Sequence, residues 1–453
     1  MTRTRLVLLA APALALAACT GSQGGGRSPD SASIPAPIGR PADATPWQIA
    51  PTPRCAADNG GITLPPGFCA VVFADSVGAV RHMAVAPNGD VYAAVTSRRN
   101  NPSAPTGAIA LRDTDGDGRA DLRQPFGSGA ASGMEIHDGW LYFAPNDAVV
   151  RWRLTPGQLV PQGESERIVT GLPGTGGHTA KSMALDGRGG LFVNVGSRTN
   201  ACQVADRQAG SPGQDPCAEL ETRAGTWRFD ANRANQTQAQ GERWATGIRN
   251  GMALAWNAEA GVPFAVSHGR DQLNGWPGFS EAFNAENPAE ELFRLQRGTD
   301  GGWPYCIHLT ATPRKVLAPE YGGNGQEVGR CATKAAPAYA FPAHWAPNDL
   351  LFYTGTQFPE RYRGGAFVAF HGSWNRAPLP QQGFNVTFLP FRGGAPAGQH
   401  EVFASGFPGV ENPTPQTARH RPTGLALGPD GSLYVSDDVG GRIWRILYVG
   451  TGR

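Results

Sequence analysis

A glycine-rich stretch, Gly174-Thr175-Gly176-Gly177-His178-Thr179-Ala180-Lys181-Ser182, places one imidazole and one ammonium just before a short apolar strand starting at Met183. The strand turns at Asp186-Gly187-Arg188-Gly189 and returns as Leu191 to Val195, followed by Ser197, Arg198 and Asn200. Both open ends of a hairpin lie at one edge. His178, two cations and an amide therefore gather on one rim, around a side chain that changes charge near neutral pH. A second stretch, Asp113-Thr114-Asp115-Gly116-Asp117-Gly118, sets carboxylates at alternate positions with glycine sixth, the first half of an EF-hand-type calcium loop. The glutamate expected at the twelfth position is missing, and Asp121 stands ninth. The alternative is a solvated acidic turn between two strands.

The hairpin that carries His178 recurs. Related units begin at Met83, Met134, Met183, Met252 and Leu425, and a less regular one spans Leu350 to Phe370. Short alternating strands broken by Pro-Asn-Gly-Asp or Pro-Asp-Gly turns read as blades of a β-propeller. The fold class expected is all-β: a six-bladed β-propeller of four-stranded antiparallel blades. Arg81, His178 with Lys181, Arg249 with Asn250, and Arg421 stand just before the hairpins. Arg98, Ser197-Arg198, His268-Gly269-Arg270-Asp271, His371 with Arg376, and Asp437-Asp438 stand just after them. The first strand of each blade lines the axis, so these residues are expected to converge on one face. Any one of them, taken alone, reads equally as an ordinary rim residue.

Upstream, Arg3 and Arg5 precede an apolar run from Leu6 to Ala18 that ends Leu16-Ala17-Ala18-Cys19. This is an export signal with a lipobox, too short to span a bilayer. The expected organisation is a lipoprotein signal over 1–18, a lipidated Cys19 with a flexible tether over 19–53, and one propeller domain over 54–453. Plain secretion with cleavage near Ala18 is the alternative. The absence of aspartate after Cys19 points to an exported bacterial lipoprotein on the periplasmic side, anchored in the outer membrane and touching membrane only through its lipid. The tether is Gly, Ser, Pro and Ala with almost no large apolar residue, so it cannot bury a core. A formal net charge of +2 without a basic block argues against nucleic acid as a partner. Six cysteines beyond Cys19 fall into close pairs, and an oxidising compartment favours disulfides. The pairing expected is 55–69, 202–217 and 306–331, each stapling a local loop.

In order along the chain stand Leu64-Pro65-Pro66-Gly67-Phe68, Gly177-His178, Gly196-Ser197-x-x-Asn200, Gly247-Ile248-Arg249-Asn250-Gly251-Met252, Gly302-Trp303-Pro304, His371-Gly372-Ser373-Trp374-Asn375-Arg376 and Arg421-Pro422-Thr423-Gly424. From Leu64 to Ile446 the chain thereby resembles the soluble PQQ-dependent sugar dehydrogenases, and within them the L-sorbosone dehydrogenase-like branch. The resemblance implies a six-bladed propeller that oxidises an aldose or sugar aldehyde by hydride transfer to PQQ. Electrons then pass to an external acceptor, a quinone or a cytochrome. It implies His178 as the general base. The carboxylates of PQQ call for fixed cations: Arg249, Arg421 and Lys181 or Arg376, with Asn250 beside them. The His371 motif and an acid at Asp437 or Asp438 fall near the cofactor. Calcium on PQQ oxygens would act as a Lewis acid, held by backbone carbonyls over Gly269, Arg270 and Asp271; a second candidate calcium set is Asp113, Asp115, Asp117 and Asp121.

Two departures bear on this. Gly269-Arg270 replaces a common Gly-Pro, which leaves Arg270 to hold a cofactor carboxylate instead. Thr179-Ala180-Lys181-Ser182 replaces Gly-Gly-Arg, so the substrate side differs. Two other functions stay open: a calcium-dependent propeller lactonase or hydrolase, which needs side-chain carboxylates at the axis, and a non-catalytic binding scaffold, which has no use for His178. Trp303, Tyr305 and Trp374 read equally as core or as stacking partners. His82, His137, His308, His344, His400 and His420 read as structural or surface.

Overall fold

A computed structural model describes residues 54–97 and 103–450. The signal, Cys19, the tether and Arg98 lie outside the described residues. Six sheets follow one another: blade 1 over 79–126, blade 2 over 131–170, blade 3 over 183–246, blade 4 over 253–341 and blade 5 over 347–404. Blade 6 takes three strands from 422–448 and its outermost from Phe68–Ala74, which pairs antiparallel with Ile443–Tyr448. One sheet built from both ends of the domain closes the ring. The innermost strands are Ala79–Val85, Ala131–His137, Met183–Leu185, Ala253–Asn257, Pro347–Phe352 and Pro422–Leu427. Each of the six repeats read from the sequence supplies the inner strands of one blade.

The turns form for local reasons. Asp186 Oδ1 accepts from the N–H groups of Arg188 and Gly190, both at 2.7 Å, and Gly187 and Gly189 take φ of 71° and 92°, open to glycine without strain. Apolar side chains of both sheet faces fill the spaces between blades. Between blades 5 and 6 an aromatic cluster joins Phe68, Phe358, Tyr362, Phe367 and Phe403. Blades 2 and 3 depart from four strands. Gln236–Thr237 adds a fifth strand parallel to Glu166–Thr170, and Thr299–Asp300 adds one parallel to Glu242–Thr246. The first comes from the short link between the third and fourth strands of blade 3, the second from the long link between the third and fourth strands of blade 4.

The three disulfides join Cys55 to Cys69, Cys202 to Cys217, and Cys306 to Cys331, as the spacing suggests. Strand direction assigns each loop to a face. The links from second to third strand, 196–224, 268–289 and 371–384, open on the same face as the links between blades. The Asp113–Asp121 loop joins the third and fourth strands of blade 1 and therefore lies on the opposite face. The pairing of Asp90, in the first turn of that blade, with Arg112 at the start of the loop marks that face.

Candidate functional site

His178 reaches its position through a close approach of backbone to backbone. The N–H of Gly177 donates to Arg198 O and that of His178 to Ser197 O, so the glycine loop is sewn to the exit of the returning strand. A Cβ on Gly196 would stand 2.6 Å from His178 Cβ, so this position excludes any side chain. His178 Nδ1 lies 2.9 Å from both the carbonyl and the hydroxyl oxygen of Ser197. The Ser197 hydroxyl donates its own proton to Thr199 O at 2.7 Å, so both oxygens act as acceptors and Nδ1 carries the proton. Nε2 is left with a lone pair and no hydrogen-bond partner among the described residues. Burial, then the charges of Arg249 and His268, hold the imidazole well below its ordinary pKa. His178 is thus a neutral base of one tautomer at neutral pH.

Arg249, 4 % exposed, is fixed on all sides. It donates to Asn200 O at 3.0 Å, Asn200 Oδ1 at 2.9 Å, Gly269 O at 3.0 Å and Asp271 Oδ2 at 3.1 Å. Asn200 joins this network: its carbonyl also accepts from Trp303 Nε1, and its amide closes both ways onto the Asp271 backbone. Trp303 is therefore a buried prop, and Tyr305 receives the Cys217 N–H on its hydroxyl. Trp374 is 52 % exposed. His178, Arg207, Arg249, His268, Gly269, Asp271, Glu290, His344 and Trp374 line one cleft of about 190 Å³. Arg207 makes a second pair with Asp271 at 3.1 Å. Burial raises the Asp271 carboxyl, but Arg249, His344 and Arg207 outweigh it and hold the group ionised. Glu290 accepts from the N–H groups of Gly269 and Ala346, and burial pushes its pKa up to about 8.

Blades 5, 6 and 1 contribute a second cluster. His371 Nε2 and Arg81 each meet Asp438 at 2.8 Å, while Arg421 donates to the carbonyls of His371 and Gly372. Burial works against the Asp438 charge, yet His371, Arg81 and Arg421 keep its pKa below the ordinary range. Burial brings Arg421 down to about 10. His268, brought down to about 3 by burial and then Arg249, also feels the charge of Arg81. Both clusters thus act on one channel mouth. Glu135 and Asp349, on the innermost strands of blades 2 and 5, are pushed up to about 8, burial first.

Three expected cofactor cations are turned elsewhere. Lys181, wholly buried, closes its own loop by donating to Pro173 O and Thr179 O, and burial brings it down to about 7. Arg270 pairs with Glu320 at 2.5 Å and donates to the Asp271 and Gln272 carbonyls. Arg376 ties its loop to the short helix Glu281–Glu286 through Ala285 O and Glu286. Arg270 and Arg376 find their acceptors in distant links that spacing along the chain does not reveal.

At 269–271 the expected calcium ligands are already engaged. The Gly269 and Asp271 carbonyls receive guanidinium and amide donors, the Asp271 carboxylate pairs with two arginines, and a cation set among them would be repelled. On the opposite face, ligand atoms of Asp113, Asp115 and Asp117 lie within 4.8 Å of one another. Asp121 turns instead to the N–H and hydroxyl of Thr114.

An anionic, oxygen-rich group fits the channel mouth. Arg81 Nε, a donor, is buried there without a partner among the described residues, beside the guanidinium groups of Arg249 and Arg421; the unpartnered Asn250 Oδ1 is an acceptor and calls for a donor on the same group. Reading along the chain missed His344, Glu290 and Arg207. In sequence His344 reads as structural, Glu290 lies inside a strand, and Arg207 sits in a loop with no motif.

Residues 62–448 match the TrAA12-like family. Among curated relatives, the chain is 27% identical over 198 residues to the pyrroloquinoline quinone-dependent pyranose dehydrogenase of Coprinopsis cinerea, covering 36% of this chain and 25% of that one. It is 35% identical over 119 residues to an uncharacterised protein of Borreliella burgdorferi, 26% of this chain and 30% of that one. The chain thus spans less than a third of either relative. Among solved structures, a Trichoderma reesei protein of carbohydrate-active enzyme family AA12 superposes with a TM-score of 0.70 at 19% identity, over 86% of this chain and 98% of that one. The holo PQQ domain of the Coprinopsis cinerea pyranose dehydrogenase gives 0.67 at 20% identity, over 88% and 99%. The soluble aldose sugar dehydrogenase of Escherichia coli gives 0.54 at 16%, over 84% and 99%. Likeness at these identities speaks for the fold. The family match, running from the start of the propeller to its last strand, does more: the chain belongs to the TrAA12-like family.

Proposed function

We propose that this protein is a quinoprotein dehydrogenase that oxidises an aldose or sugar aldehyde, a sorbosone-type substrate included, with PQQ as hydride acceptor. The observation that carries the reading is His178: its Nδ1 proton is locked on Ser197 and its Nε2 lone pair is free beside a buried guanidinium. That is the equipment for taking a proton from a hydroxyl next to bound negative charge. When bound, PQQ supplies the two-electron acceptor for the hydride that leaves the substrate carbon. Arg249, Arg421 and Arg81 would hold its oxygens, with the Asn250 amide N–H beside them; the arginines are already immobilised, so little ordering remains to be done on binding. His178 Nε2 takes the hydroxyl proton as the O–H bond breaks and the C=O bond forms. The positive charge of Arg249 favours the alkoxide character that develops on the substrate oxygen. Electrons then leave to an external quinone or cytochrome.

Calcium, the second expected cofactor, suits the Asp113, Asp115 and Asp117 cluster better than the 269–271 loop. A hydrolase working through an axial metal is disfavoured, because among the described residues the one three-carboxylate cluster lies away from the cleft. Export as a lipoprotein held by lipid on Cys19, on the periplasmic side of an outer membrane, is supported by the sequence at 16–19 and agrees with three disulfides. Radiolabelled fatty acid incorporated by the full-length chain and lost in Cys19→Ser would test it.

The decisive experiment adds PQQ to the apoprotein and follows dye reduction across aldoses, sugar aldehydes and alcohols, beside His178→Ala. Turnover that needs both PQQ and His178 supports the reading. No PQQ binding at micromolar concentration overturns it and directs attention to lactone hydrolysis.

A further inference from the structure

Beside the catalytic cleft lies a second, larger cavity of about 340 Å³, and Arg207 lines both. Its walls come from the three long links of blades 3, 4 and 5 on the same face. It is within the size range of small-molecule sites, and its chemistry differs from that of the cleft. Its open polar groups are amides. Gln208 and Asn274 are exposed, and no hydrogen bond occupies their side chains; Gln272 spends only its oxygen, on Arg207. Asn375 Nδ2 is buried and without a partner among the described residues. Each amide offers a donor pair and an acceptor, which matches neighbouring hydroxyl groups on a sugar ring. Trp276 forms part of the wall, and the exposed Trp374 stands at the cleft rim 6.0 Å from the Arg207 guanidinium. Indole faces of this kind accept the apolar C–H face of a pyranose.

The charges argue for a neutral ligand. Arg270 is neutralised by Glu320, and Arg207 turns Nη1 to Gln272 and Nη2 to Asp271, so the open hydrogen-bonding groups of the groove are mainly its neutral amides. Resting on the dehydrogenase reading above, we propose that this groove is a second saccharide subsite, and that the preferred substrate is a neutral reducing oligosaccharide. Its reducing-end ring occupies the cleft at His178, and the glycosidically linked neighbour lies against Gln208, Gln272, Asn274 and Asn375. The free anomeric hydroxyl gives its proton to His178 and its carbon gives the hydride to the bound quinone, so a lactone forms and the glycosidic bond stays intact.

The test compares kcat/KM of the PQQ-loaded protein for glucose, maltose, maltotriose, cellobiose and cellotriose, with digalacturonate as the acidic probe. Isothermal titration of the same sugars gives a readout independent of turnover. At least one disaccharide is expected to exceed glucose about tenfold, the worth of one or two added hydrogen bonds. Asn274→Ala, an exposed truncation, should lower the disaccharide-to-glucose ratio several-fold, and Asn375→Leu should do the same. Glucose turnover with no gain for any disaccharide, and no change of the ratio in either variant, overturns the subsite and leaves the dehydrogenase standing. Preference for digalacturonate overturns the neutral assignment. Disaccharide binding that weakens in Asn274→Ala, without turnover of any sugar, supports the subsite and sinks the dehydrogenase reading instead.

Discussion

Gly196→Ala is the sharpest perturbation of the proposed base. The backbone at 196 lies outside the left-handed region, so alanine is conformationally allowed and only space is at issue. The added methyl carbon would stand 2.6 Å from His178 Cβ, 2.9 Å from His178 O and 3.0 Å from Asn250 Oδ1. Carbon atoms rest at roughly 3.5–4.0 Å, so the His178 backbone must move away by about 1 Å. It cannot yield freely, because its N–H is bonded to Ser197 O and its ring to Ser197. A misplacement of about 1 Å costs on the order of 10²-fold in rate, or about 2.7 kcal/mol at 1.36 kcal/mol per tenfold. Overpacking should cost a further ~1–3 kcal/mol of stability. The assay is kcat/KM for the best sugar by dye reduction, with PQQ affinity measured separately by fluorescence quenching and stability by urea unfolding. We expect kcat/KM to fall about 10²-fold while PQQ still binds. Full activity in a variant as stable as the wild type would refute the claim that this contact sets the position of the proposed base.

His178→Ala should lose on the order of 10²–10⁴ in kcat/KM, and the acid limb of the wild-type profile should fall well below pH 6.5, since the imidazole accepts a second proton only there; a limb centred at or above 6.5 would contradict the environment described. Asp271→Asn removes a negative charge from beside two arginines, so PQQ affinity should rise while the apoprotein loses ~1–3 kcal/mol, the two effects read by fluorescence titration and urea unfolding. Glu135, Glu290 and Asp349 hold their protons in the folded chain up to about pH 8 but not in the unfolded chain above about pH 4. The stability they contribute is complete below about pH 4 and lost as pH rises to about 8, so the melting temperature should decline between about pH 4 and 8 and level off above it, with a shallower slope in Asp349→Asn. Replacing Cys202 and Cys217 together by serine opens a loop with a sequence separation of 15 and should cost ~3 kcal/mol, seen as an earlier urea midpoint. Calcium at about 100 times its dissociation constant should stabilise the protein by ~2.7 kcal/mol and lose that effect in Asp115→Asn, with dye reduction insensitive to the same substitution.

How far the chain could be read before folding follows from the range of the interactions concerned. Alternating apolar runs, Asp-Gly turns and recurring hairpins are local, so six blades, their order and the three disulfides were legible residue by residue. His178, Arg249 and Arg421 were legible as well, because a residue at the same offset from each innermost strand must face the axis. The destination of a long side chain rooted in an insertion was not. Lys181, Arg270 and Arg376 carry the same charge as Arg249, yet Lys181 folds back onto Pro173 of its own loop, while Arg270 and Arg376 end on Glu320 and Ala285, partners brought near only by the folding of long links. The same links brought Arg249 onto Gly269 O, filling the place where sequence placed a cation, and gave Asn200 its position between blades 3 and 4. A repeat determines where backbone enters and leaves the ring. Buried charge must find a counter-charge or a carbonyl wherever the tertiary structure provides one, and that search, which crosses blades, decided which arginines remain for a ligand.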